Sequence, residues 1–167
     1  MSLNTTTVSI ALIIDMFAMS FAFGSTVWFF FVQSPAMFKH VVREEFVPLQ
    51  MRMGKLLFTS ALVALALLVA ASVVQSGSVT AWGSVAAAAA LLFGALNKFF
   101  IFPMALRAGG ESHQMKEGRG ETGSPVEFAS EGAGKSATAK HRLVVLFVVA
   151  MVAGLVTHGI SLLLPSN

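Results

Sequence analysis

The sequence contains no cysteine, which excludes disulfides, thiolate metal sites, iron-sulfur clusters and cysteine nucleophiles together. Charge is scarce too: 11% of the 167 residues are Asp, Glu, Lys or Arg, against 56% hydrophobic residues. At a mean hydropathy of +0.79 there is too little polar surface to coat a water-soluble domain of this size, so the apolar surface must meet lipid or protein. Catalytic signatures are missing as well. Nothing resembles G-x-S-x-G, H-E-x-x-H, a phosphate loop or a dinucleotide loop, and no two histidines stand at i, i+4. The sequence therefore predicts a protein that is not an enzyme and that takes no cofactor and no metal. Met1 to Thr7 carry no Lys or Arg, so the first apolar run is expected to be a retained helix and not a cleaved leader.

Four apolar runs stand out: Val8 to Val32, Leu56 to Val74, Ala81 to Phe102 and Leu143 to Leu164. Each is long enough to cross a hydrocarbon core of about 30 Å at roughly 1.5 Å per residue. This predicts an all-α fold, a membrane four-helix bundle forming one domain over 1–167. The gap from Gln75 to Thr80 is short and uncharged, so the second and third runs form a hairpin. All 11 Lys and Arg fall in or beside the other two connections, 33–55 and 103–142. By the positive-inside rule both charged connections face the inner side and both termini the outer side. The net charge of +3 is thus read as a topology signal, with no aromatic-interleaved basic stripe for nucleic acid.

The first inner connection carries a helical pattern. Ser34 is a candidate N-cap with Pro35 at the first helical position, and Phe38, Val42, Phe46, Leu49 and Met53 recur at spacings of four and three. Between spans one and two this predicts an amphipathic interfacial helix, with Lys39, Arg43, Arg52 and Lys55 among anionic headgroups and Pro48 interrupting it. The second connection holds half of the chain's 14 glycines and is expected to be mobile or ordered by a partner.

Asp15 is the one acidic residue inside a span, and an ionisable group at that depth requires a partner or water. It lies about 10 Å below the outer start of the first span, and His158 lies about 9 Å below the outer end of the fourth, so the two can share a depth. They are expected to form an intramembrane polar pair. A static pair that sets helix register, Asp15 alone near outer-face water, and a proton relay, cation site or haem-type ligand are the alternatives. His40, His113 and His141 are expected to be solvated or interfacial.

Small residues mark the packing surfaces: Gly83, Ala87, Ala90 and Gly94 on the third span, Ala150 and Gly154 on the fourth. Trp28 and Trp82 stand where interfacial anchors would, and Asn97 can bond between helices while Lys98 reaches for the interface.

The run Phe23-Gly24-Ser25-Thr26-Val27-Trp28, followed by Phe31-Val32, Phe38, Arg43, Phe46, Leu49-Gln50 and Met53, resembles the signature of the transmembrane-protein-205-like family, with further matches at Asn97, Pro103 and His141. After Gln50 this chain departs from the family, with Gly54-Lys55-Leu56 in place of Phe-Pro and an aromatic run, and it has apolar residues where the fourth span would carry Asn. The resemblance implies a four-span membrane protein of largely undefined activity and carries over no catalytic residue. Within its first block Gly24 would permit close helix approach, and Gln50 would bond backbone groups beside Pro48. The function expected is an accessory or structural subunit packing within a larger membrane assembly, with lipids and other subunits as partners and no nucleic acid. A mitochondrial inner-membrane respiratory complex is the expected host. The alternative is a small transporter or ligand-binding protein using Asp15 and His158.

Overall fold

The computed structural model describes residues 5–41, 43–75, 81–107 and 127–164, the side chains of 43, 44, 47 and 127–138 excepted. Helix α1 (Thr5–Val27) runs into a π-helical turn, Trp28–Gln33, and continues as α2 (Ser34–His40). The chain breaks at Val41, whose φ of −103° and ψ of 137° are extended. Then come α3 (Arg43–Val74), α4 (Ala81–Leu96) with a second π-helical turn at Asn97–Ile101 and a helical stretch to Arg107, and α5 (Glu127–Leu163). Among the described residues there is no strand. Four helices are long and apolar enough to cross a membrane: Thr5–His40, Pro48–Val74, Ala81–Arg107 and Ala139–Leu163. The chain is an all-α integral membrane protein.

Neighbouring helices run antiparallel, since Asp15, Gln75, Gly83 and His158 meet at one end of the bundle while Phe30, Phe58, Phe102 and Val144 meet at the other. The bundle is small inside and bulky outside. Its centre is Ala18, Ala22, Ala64, Ala87 and Ala90 closing on Leu65, Leu68, Met151 and Leu155. Phe17 is 75% exposed and Leu163 85%, with many other large apolar side chains turned outward. Lipid explains this inversion. Burial of apolar surface does not drive helices together in hydrocarbon, so they associate by close backbone approach at small residues while large side chains face acyl tails.

Both π-helical turns end two residues before a proline, Pro35 and Pro103. A proline ring within a helix meets the carbonyl four residues back, here Phe31 or Phe99, and a wider turn gives it room. The first helix therefore continues through Ser34, which does not cap a new one. The boundary lies at Val41 instead, and the aromatic pair Phe38–Phe46, 5.5 Å between centroids, links the helices across it. Pro48 lies near the start of α3 without interrupting it, where it forfeits a single backbone bond. The last helix also starts well before Leu143. The expectations about Val42's side chain, the 76–80 turn, His113, and the 108–126 part of the glycine-rich connection lie outside the described residues.

Candidate functional site

The end of the bundle opposite the cations holds a closed polar cluster. Asp15 faces inward from α1 because Ala11, Ala18 and Ala22 share its buried stripe at helical spacing. His158 comes from α5, and its Nε2 lies 2.9 Å from Asp15 Oδ1. Both side chains have 0% exposure. Gln75, at the end of α3, donates from Nε2 to Asp15 Oδ2 at 3.0 Å and to the Ala71 carbonyl at 3.2 Å. The Nδ1 of His158 lies 2.9 Å from the Gly83 carbonyl in the first turn of α4. All four membrane-crossing helices thus contribute one group each.

The partners determine where hydrogens can sit. A backbone carbonyl only accepts, so His158 Nδ1 must carry its hydrogen and donate to Gly83. Gln75 donates to Oδ2. One proton then lies between Oδ1 and Nε2, giving either a carboxylate beside an imidazolium or a carboxylic acid donating to a neutral imidazole. The cluster has zero net charge in both forms. Below it Ala22, Leu65, Leu68, Ala87, Ala90, Met151 and Leu155 form a buried apolar layer. Among the described residues no third His, Asp or Glu joins the pair.

A second polar level lies toward the charged end. Asn97, at the start of the second π-helical turn, donates from Nδ2 to the Val144 carbonyl at 3.2 Å, tying α4 to α5. Its Oδ1 and the Oγ1 of Thr26 are buried and find no hydrogen-bond partner among the described residues.

The remaining residues singled out by sequence divide by face. Gly83, Ala87, Ala90 and Gly94 are buried. A Cβ on Gly94 would stand 2.9 Å from Leu65 Cδ1, a side-chain tip that can shift, whereas one on Gly154 would stand 3.0 Å from the Ala86 carbonyl oxygen, backbone that holds its place, so the close approach of α4 and α5 depends on glycine at 154. Ala150 is half-buried on the same helix as Gly154. Gly24 departs from expectation: it is exposed, with nothing among the described residues within 4 Å of where its Cβ would be, so it brings none of the described helices close. Gln50 donates to the Ser34 hydroxyl and not to backbone, joining α3 to α2. Trp28 and Trp82 are exposed near opposite ends, and Lys39, Arg52 and Lys55 are exposed at the charged end, where Arg43 opens α3.

Sequence reasoning missed Gln75, the Gly83 carbonyl, and Gly54, whose Cβ would stand 2.8 Å from Phe102 Cζ. Gln75 is legible as a polar residue closing an apolar run at the end away from the cations; the other two depend on packing that no local pattern encodes.

The family described as a domain of unknown function, DUF4149, matches residues 17–114, more than half of the chain, from within α1 to beyond α4. No curated protein and no solved structure matches.

Proposed function

The chain belongs to the DUF4149 family, a domain of unknown function, and from its closed polar cluster we propose a non-catalytic accessory subunit that packs within a larger membrane assembly. The carrying observation is that the intramembrane pair Asp15–His158 is fully enclosed and bonded on every side by its own chain. Such a pair sets helix register; it offers no atom to a substrate. The apolar layer beneath it supports the same reading, since a relay would need a polar or wetted continuation there.

What the chain offers lies on its outside. Gly24 forms an exposed notch one turn after the exposed Ser20, the small-residue spacing that lets a neighbouring helix approach. A cleft of about 700 Å³ between α1 and α3, walled by Ile13, Phe17, Phe21, Val63 and Leu67, adjoins that face. Kinship with the transmembrane-protein-205-like family is part of this proposal, as is a respiratory complex of the mitochondrial inner membrane as host.

The test is size in mild detergent, followed by crosslinking and mass spectrometry from native membranes. The expected result is co-migration with a larger assembly, crosslinks from α1, and loss of co-migration in Gly24→Leu without loss of the folded chain. A lone monomer with no crosslinked neighbour contradicts the reading. Co-migration with complexes of another membrane replaces the respiratory host alone.

A further inference from the structure

At the charged end, between α3 and the stretch following α4, Lys55, Phe58, Lys98, Phe102, Leu106 and Arg107 line a cleft of about 500 Å³. Its cations come together through the second π-helical turn. Lys98 and Arg107 are nine positions apart, which at about 100° per residue would put them roughly 180° apart on a regular α-helix. The turn at Asn97–Ile101 accommodates an extra residue, which takes back about 100° and leaves the two within roughly 80° of each other. Lys55 joins them from α3.

The floor of the cleft is aromatic. Gly54 lets the Phe102 ring lie against the α3 backbone, since a Cβ there would stand 2.8 Å from Cζ and 3.1 Å from Cε2. Phe102 in turn packs on Phe58 with 5.0 Å between centroids. Lys98 Nζ sits 5.1 Å from the Phe99 centroid, held near the rim. Among the described residues no carboxylate pairs with Lys55, Lys98 or Arg107. Three cations above an apolar floor, at the level where a membrane helix meets headgroups, match a molecule with an anionic head and an acyl tail.

We propose that this cleft is a binding site for one anionic phospholipid, its phosphate held by Lys55, Lys98 and Arg107 and an acyl chain lying over Phe58, Phe102 and Leu106. The Arg107 guanidinium supplies a fork matched to two phosphate oxygens, and the lysines act as point charges. The site requires only that the charged end lie at a bilayer surface, so it stands apart from the subunit reading. A free anion has no use for the aromatic floor, which is why a lipid is the assigned occupant.

The test is native mass spectrometry of the delipidated full chain titrated with phosphatidylglycerol or phosphatidylcholine. Phosphatidylglycerol is expected to be retained in preference, and Lys98→Gln and Arg107→Gln each to lower that retention about fivefold while phosphatidylcholine is unchanged. Lys98→Arg keeps the preference. Gly54→Leu, which displaces Phe102 without altering charge, also lowers retention. Arg52→Gln removes an exposed cation of the same end outside the cleft and leaves retention as it was; an equal loss there means diffuse surface attraction and overturns the site. Unchanged retention in both Lys98→Gln and Arg107→Gln also overturns it, as does displacement of the lipid by inorganic phosphate. Should one cation variant fail to fold, the other and Lys55→Gln carry the same comparison.

Discussion

Replacing Asp15 with Asn leaves every hydrogen bond of the Asp15–His158 cluster available. The new amide donates to His158 Nε2, and its carbonyl oxygen accepts from Gln75 where Oδ2 did. Replacing it with Ala strands His158 and Gln75 in an enclosed apolar setting. Thermal unfolding in detergent should therefore show Asp15→Ala destabilised by about 3–5 kcal/mol, the range for breaking a buried pair, and Asp15→Asn within about 1 kcal/mol of the parent. A clamp predicts that ordering, whereas a proton-handling site predicts that Asp15→Asn abolishes transport while leaving the fold intact. The pairing of Asp15 with His158 was legible because depth along two helices can be counted from span ends. Gln75 falls in the turn by sequence because it closes the apolar run. The participation of the Gly83 carbonyl could not be read at all, since any residue there has one.

At the scale of the element, two glycines of similar appearance in sequence differ by what surrounds them. Gly154 on α5 stands against the Ala86 carbonyl and Ala90 of α4, and backbone cannot move aside as a flexible side chain can. Gly154→Val should cost about 1–3 kcal/mol by overpacking and loosen the α4–α5 pair, read as faster proteolysis or a lower unfolding temperature. Gly24 faces open space, so Gly24→Ala should change the stability of the isolated chain by less than about 0.5 kcal/mol. Span positions were readable from apolar runs, but helix ends were not, because α2, the start of α3 and the start of α5 carry enough charge to fall below any hydropathy threshold. The π-helical turns have a signal in Pro35 and Pro103: in sequence Pro35 marks the start of a new helix and Pro103 lies just past the third apolar run, whereas the fold keeps both within continuing helices by widening the preceding turn.

For the whole molecule, described cations on all four membrane-crossing helices gather at one end: Lys39, Arg52, Lys55, Lys98, Arg107, Lys140 and Arg142. Single cysteines introduced at Lys39 and Arg107 should accordingly react with an impermeant label from the same face of sealed vesicles, and one at Trp82 from the other. Labelling of Lys39 and Arg107 positions from opposite faces would break the bundle's up-and-down order. The Asp15–His158 cluster also bears on how the fold would answer a membrane potential. Asp15 Oδ1 and His158 Nε2 stand 2.9 Å apart, and the pair has zero net charge with its proton on either atom. A full charge crossing the bilayer responds to voltage with about 2.3 kcal/mol per 100 mV, but a shuttle of under about 1 Å in a core of about 30 Å feels roughly a thirtieth of that. The clamp that joins the four helices is therefore indifferent to whether the membrane is polarised or collapsed.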